Sequence, residues 1–249
     1  MITLSILGVF IGFISAFFGV GGGMILTPLL LLLGFDIKTA IGISIVQMVF
    51  SSIFGSYLNF KKGLLVIEEG LYIGLGGFLG GFGGGYLTQY LSDTLLQYLL
   101  LFLLCLAFYR ISYAPIVKDT PTIKPISNQI FFSLGVLIGL FSISLGVGGA
   151  IILTPILVSV LHYPLKKAVS ASLFFVLFSS VSGFLSRLNN GTIDLDNGLV
   201  VGVASLFGVV FGIFLKGHIS EVYHKRTLLL LYLLIIMILA QKIIVSMLN

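Results

Sequence analysis

The sequence predicts an all-α integral membrane protein made of two homologous repeats. Each repeat has four apolar segments, and the first of these is broken and re-entrant. Three observations carry the prediction. Hydrophobic residues make up 58% of the chain and charged residues 8%, where soluble domains carry about a quarter charged. The charges are clustered, leaving residues 1–35, 39–60, 70–92, 94–109, 125–161, 168–186, 197–215 and 227–241 without any. Most of these stretches approach or exceed the roughly 20 residues a helix needs to cross hydrocarbon. Finally, "GVGGGMILTPLL" at 19–30 returns as "GVGGAIILTPIL" at 146–157.

The apolar runs are continuous and rich in Leu, Phe and Ile, which is the pattern of helices and not of barrel strands. The first residues, "MITLSILG", lack the basic start of a cleaved signal, so the N-terminus reads as retained. Residues 4–33 would be about 45 Å long as one helix, against a core of about 30 Å. A break at Gly19–Gly23 divides them into arms of about 15 and 10 residues. The next segment carries Ser44, Gln47, Ser51 and Ser52 at spacings that share a helix face. "GLGGFLGGFGGGYL" at 74–87 reads as a small-residue packing ridge. Cys105 lies alone in an apolar run, where a buried packing role is expected.

A polar linker, residues 113–128 within "RISYAPIVKDTPTIKPISNQ", separates repeat 1 (1–112) from repeat 2 (129–249). At an offset of 127, residues 8–28 agree with 135–155 at 13 of 21 positions, without a gap. One residue later in offset, Lys38/Lys166, Ser44/Ser172, Ser51/Ser179, Ser52/Ser180 and Gly55/Gly183 also match. Gln47 meets Phe175, a difference between the copies.

Basic residues in short loops report orientation, and the net charge of +5 is read that way and not as a nucleic-acid signal. If every segment crosses, the halves are parallel and the Lys and Arg residues divide seven to six. If each first segment is a re-entrant hairpin, three crossings remain per half and the second half is inverted. One side then carries Lys61, Lys62, Arg110, Lys118, Lys124, Lys166, Lys167, Lys216, Lys225 and Arg226, and the other only Lys38, Arg187 and Lys242. Ten against three favours inverted repeats with both termini outside the cytoplasm.

Inverted repeats with discontinuous helices point to a carrier whose site lies near the midplane. Thr27 and Thr154 are expected to cap the second arms, with Pro28 and Pro155 at the first helical position. Free N–H groups and the positive dipole end would then receive an anion, with Gly19, Gly21, Gly22, Gly23, Gly146, Gly148 and Gly149 letting it approach the backbone. Ser44, Gln47 and Ser172 add neutral donors. These serines also fit interhelical hydrogen bonding, and the prolines also fit simple kinks. No ionisable residue is placed deep in an apolar segment; His162, His218 and His224 read as solvated or interfacial. No GxxxxGK[ST], HExxH or Cys/His cluster occurs, so no ATPase, metal or cofactor chemistry is indicated.

The two Gly-rich/Thr-Pro motifs, one per half of a chain of this length, resemble those of the TauE/SafE sulfite exporter family. The resemblance covers nearly the whole chain. It implies a multi-pass permease of a bacterial-type cytoplasmic membrane for sulfur-containing anions such as sulfite, sulfoacetate, thiosulfate or related sulfonates. The implied site falls on Gly19–Gly23, Thr27, Pro28, Gly146–Gly149, Thr154 and Pro155. Ala150 departs from the pattern, standing where the first copy has Gly23. The partners expected are the substrate anion, membrane lipid and a possible coupling ion (H+ or Na+), with no nucleic acid. Competing readings are a carrier for a cation or another anion, or a non-catalytic subunit of a membrane complex. An enzyme would need a set of acid, base or nucleophile that the chain does not display.

Overall fold

The computed structural model describes residues 1–65, 67–113, 127–161 and 163–248. His162, Lys118, Lys124 and most of the linker lie outside them. The described residues form ten α-helices: α1 Ile2–Phe18, α2 Gly23–Leu32, α3 Ile37–Lys61, α4 Ile67–Leu87, α5 Asp93–Tyr113, α6 Asn128–Ser144, α7 Ala150–Ser159, α8 Leu165–Asn189, α9 Leu195–His218 and α10 Glu221–Leu248. The first five are 17, 10, 25, 21 and 21 residues long, and the second five 17, 10, 25, 24 and 28. Helices α3, α5, α8, α9 and α10 are long and apolar enough to cross a membrane.

The distribution of side chains is that of a protein whose outer solvent is apolar. Phe10, Phe102, Phe207, Phe211 and Leu230 are exposed, whereas Ser44, Gln47, Ser51, Ser172, Ser179 and Asn59 are fully buried. In water that arrangement would forfeit hydrophobic burial; in lipid the exposed Phe and Leu side chains cost nothing and the polar groups pair inside. Cys105 is also exposed, which corrects the buried role expected for it. It lies on α5, two of whose neighbours in sequence, Phe102 and Leu106, are exposed as well.

Small residues set the closest contacts. On α4, a Cβ added to Gly76, Gly80 or Gly84 would run into the α6 backbone at Phe132, Val136 and Leu140, and one on Gly77 or Gly81 would meet Phe175 and Ser179 of α8. The packing role read for this stretch is therefore what the structure shows. Helices α1 and α9 pack in the same manner: Gly8 and Gly12 face Val201 and Ser205, and Gly208 and Gly212 face Val9 and Phe13. Since 8–12 follows 201–205 in the same direction, α1 and α9 run parallel.

Helices α3 and α8 cross the interior antiparallel. Arg187, near the end of α8, donates from Nη2 to the carbonyl of Lys38 at the start of α3 at 2.9 Å. At the other end, Lys216 Nζ of α9 donates to Asn59 Oδ1 of α3 (3.1 Å) and Ser170 Oγ of α8 (2.7 Å). The 21 residues from Lys38 to Asn59 span about 31 Å of helix. Asp36 caps α3 by accepting from Thr39 N–H at 3.0 Å, and Asp194 caps α9 by accepting from Asn197 N–H at 3.1 Å.

Candidate functional site

The helix breaks form the centre of the molecule. Helix α1 ends at Gly19, in the left-handed region (φ 67°), and α2 begins after Gly22 (φ 77°). Helix α7 begins after Gly149 (φ 92°). Residues with a Cβ rarely adopt this conformation, so glycine at the two N-caps is required by the chain reversal itself. The two breaks touch: a Cβ on Gly23 would run into the carbonyl oxygen of Gly146. Ala150, the counterpart of Gly23, is buried in α7 with its methyl accommodated. Gly23 thus has a steric reason to lack a side chain in the first motif, its close approach to the Gly146 carbonyl.

Gly21 and Gly148 face the same two side chains, Met48 of α3 and Val176 of α8. Gly22 lies against the amide of Gln47, and Gly149 against the ring of Phe175. Ser179 Oγ donates to the Gly148 carbonyl at 2.8 Å, and Ser15 Oγ lies 3.3 Å from Ser51 Oγ. Gln47 is fully buried, yet neither its Nε2 nor its Oε1 has a partner among the described residues. The N–H groups of Gly21, Gly22, Gly148 and Gly149 likewise reach no acceptor among the described residues. A buried amide with both ends unpaired costs several kcal/mol unless something else fills its bonding capacity.

The capping role expected for the threonines is corrected. Helix α2 starts four residues before Thr27, and α7 four residues before Thr154. Both threonines, with Pro28 and Pro155, lie inside their helices. Thr27 Oγ1 is bonded to Ser44 Oγ (2.9 Å) and Thr154 Oγ1 to Ser172 Oγ (2.8 Å), so each pair ties a short helix to its long neighbour. Each proline instead removes the N–H that would reach the carbonyl four residues back, at Met24 and Ile151. Gly19 lies away from this centre, against Val169. Pro155 lines an apolar groove of about 200 Å³ between α5 and α7.

The solvated or interfacial place expected for His224 is corrected: it is fully buried, with its ring 4.9 Å from that of Phe17. Arg187 and Lys216, near the ends of α8 and α9, are also essentially unexposed, at 1% and 0%. His218 is exposed, as expected. A signal for the two cations existed in the sequence. At the offset of 128, Arg187 falls on Asn59, Lys216 on Thr88 and Ser170 on Gly42. Each end of the α3–α8 pair therefore holds one cation, but from positions that do not correspond between the two halves. Among the described residues, no group of three or more His, Cys, Asp or Glu is placed to hold a metal.

Long apolar helices, an interior that concentrates hydroxyl and amide groups, and two broken helices meeting at its centre define a multi-pass helical membrane protein of the transporter class. The chain belongs to the sulfite exporter TauE/SafE family, whose model matches residues 4–239. It is 26% identical to a probable membrane transporter protein of Methanocaldococcus jannaschii, over 91% of this chain and 90% of that one. It is also 26% identical to a probable membrane transporter protein of Bacillus subtilis, over 92% of both chains. A third relative so described, from Haemophilus influenzae, is 26% identical over 75% of this chain and 73% of its own. No solved structure matches the chain significantly.

Proposed function

We propose that this protein is a secondary carrier or facilitator for a small sulfur-containing anion, such as sulfite, thiosulfate or sulfoacetate. It works by alternating access around a site where the two helix breaks meet. The observation that carries the reading is the junction itself. Glycine N–H groups at two helix starts, without an acceptor among the described residues, lie at one buried junction with the unpartnered amide of Gln47, which sits against Gly22. Helix starts carry partial positive charge, and two of them approximate one full charge. The family supplies the class of anion, and the transporter relatives argue against an enzyme.

Inverted repeats give the site its two-sided access. Helices α3 and α8, which correspond in the repeat, run antiparallel, as inversion requires. The basic residues support the same topology. Lys62 donates to the Ile213 carbonyl and Lys225 to the Ser112 carbonyl, while Arg187 donates to Lys38. Every one of these pairs stays on one side in the ten-to-three division and is split in the seven-to-six division. The reading places the Lys62 and Lys216 end in the cytoplasm and both termini outside it, in a bacterial-type cytoplasmic membrane. Each first segment is then a hairpin that enters and returns, α1–α2 in one half and α6–α7 in the other.

Uptake into proteoliposomes tests the function. Labelled sulfite, thiosulfate and sulfoacetate are offered with and without H+ or Na+ gradients. Saturable uptake of at least one, inhibited by the others, is expected. Uptake confined to cations would overturn the reading.

A further inference from the structure

Two buried cations have no role in the site as described, and neither has a carboxylate within ion-pair distance among the described residues, although Asp36 is near enough to act on Arg187. Lys216 Nζ is held by two neutral oxygens, Asn59 Oδ1 and Ser170 Oγ. Arg187 spends Nη2 on the carbonyls of Lys38 (2.9 Å) and Thr192 (3.0 Å). Its Nε and Nη1 have no partner among the described residues, and neither does the nearby Gln89 Nε2. A buried charge without a counter-charge is costly and persists where function requires it.

Arg187 lines a cavity of about 540 Å³, together with Lys38, Thr88, Gln89, Thr192 and Asp194. The carboxylates around it are otherwise engaged. Asp194 accepts from the N–H and the Nδ2 of Asn197, Asp36 accepts from Thr39 N–H, and Asp93 lies 3.9 Å from Lys38 Nζ. The unsatisfied groups on this wall are therefore donors. Gly42 of α3 lies beside the guanidinium: a Cβ there would stand in ordinary contact with it, 3.7 Å from Arg187 Nη2. Ser170 occupies the corresponding place at the opposite end and bonds Lys216.

We propose that Arg187 and Lys216 are anion-receiving residues, one at each end of the α3–α8 pair, between which the central glycine site lies. An oxyanion entering from either face replaces the neutral oxygens as the partner of the cation before it moves to the glycine N–H groups. The guanidinium keeps its Nε–H and Nη1–H donors for an oxyanion, and a bidentate grip forms once the anion also displaces a carbonyl from Nη2. Because each cation also ties α3 to a neighbour, the arriving anion loosens that tie. This inference rests on the carrier reading above, and the experiment separates the two.

Equilibrium binding of sulfite, thiosulfate and sulfoacetate is measured on purified protein at fixed ionic strength. The proteins are wild type, Arg187→Gln, Arg187→Lys and Lys216→Gln. Loss of a charge-assisted pair should weaken binding roughly 10- to 100-fold in each Gln variant. Arg187→Lys keeps the charge but loses the fork and should fall between. Should a Gln variant fail to fold, Arg187→Lys carries the test, and wild-type affinity in it would overturn the proposal. Wild-type binding that all folded variants retain in full overturns the role of the cations and leaves the carrier standing. Failure of the wild type to bind any of the three anions overturns the carrier reading itself.

Discussion

Thr27 Oγ1 stands 2.9 Å from Ser44 Oγ, both fully buried, and Thr154 and Ser172 repeat the contact at 2.8 Å. Each hydroxyl is the other's partner, so the pair first serves to tie the short helix to the long one, while the accepting hydroxyl keeps its own proton. Thr27→Val should act on stability before affinity. It orphans Ser44, at a cost of about 1–3 kcal/mol. The lower end is favoured because a helical serine can bond back to its own helix. Adding Ser44→Ala should recover most of the loss. Melting temperatures of the two singles and the double measure this.

Gln47 should behave in the opposite way. Its amide is buried with both ends unpaired among the described residues, so Gln47→Leu removes an unsatisfied group and should leave the melting temperature unchanged or raised. Anion affinity should fall by about tenfold or more if the amide meets the ligand. A variant as tight-binding as wild type would remove Gln47 from the site.

Gly23 and Ala150 make a matched pair of substitutions. Gly23→Ala drives a methyl into the Gly146 carbonyl and should sharply reduce folded yield, as overpacking against backbone has no side chain to yield. Ala150→Gly removes a methyl at a helix start and should cost at most about 1 kcal/mol. Fluorescence-detected size exclusion of the two variants compares them directly.

The helix breaks and their glycines were legible because the same glycine spacing precedes Thr-Pro at 19–28 and at 146–155. The true start of α2 was not. Thr-Pro signals an N-terminus in most contexts, but here a left-handed glycine had already turned the chain, and the helix begins four residues earlier. The threonine then falls on the face toward α3, where Ser44 meets it. Arg187, Lys216 and His224 were misread for a different reason. All three lie near segment ends, which in one dimension looks like interface. Only the packing shows that these ends are covered: Phe17 lies against His224, Asn59 and Ser170 hold Lys216, and Lys38 and Thr192 hold Arg187 at the opposite end. Asn59 gains its meaning only from Lys216 across the fold.

Topology is open to direct labelling. Gly63 and Gly191 lie in loops just beyond the opposite ends of α3 and α8; both have positive φ (66° and 63°), so a cysteine strains the turn, but its Cβ would meet nothing within 4 Å. Single cysteines there, in a Cys105→Ser background, should react with an impermeant maleimide from opposite faces of the membrane. The Gly191 site should be reached from outside intact cells. Both reacting from one face would contradict the inverted arrangement.

The most direct test is the stoichiometry of anion binding when one break at a time is altered. A single shared site predicts one sulfite, thiosulfate or sulfoacetate bound per wild-type chain. It also predicts that Gly21→Leu and Gly148→Leu each abolish that binding, because both glycines face Met48 and Val176 at one junction. Folded Gly148→Leu protein that still binds one anion per chain with wild-type affinity would contradict the shared site at its centre.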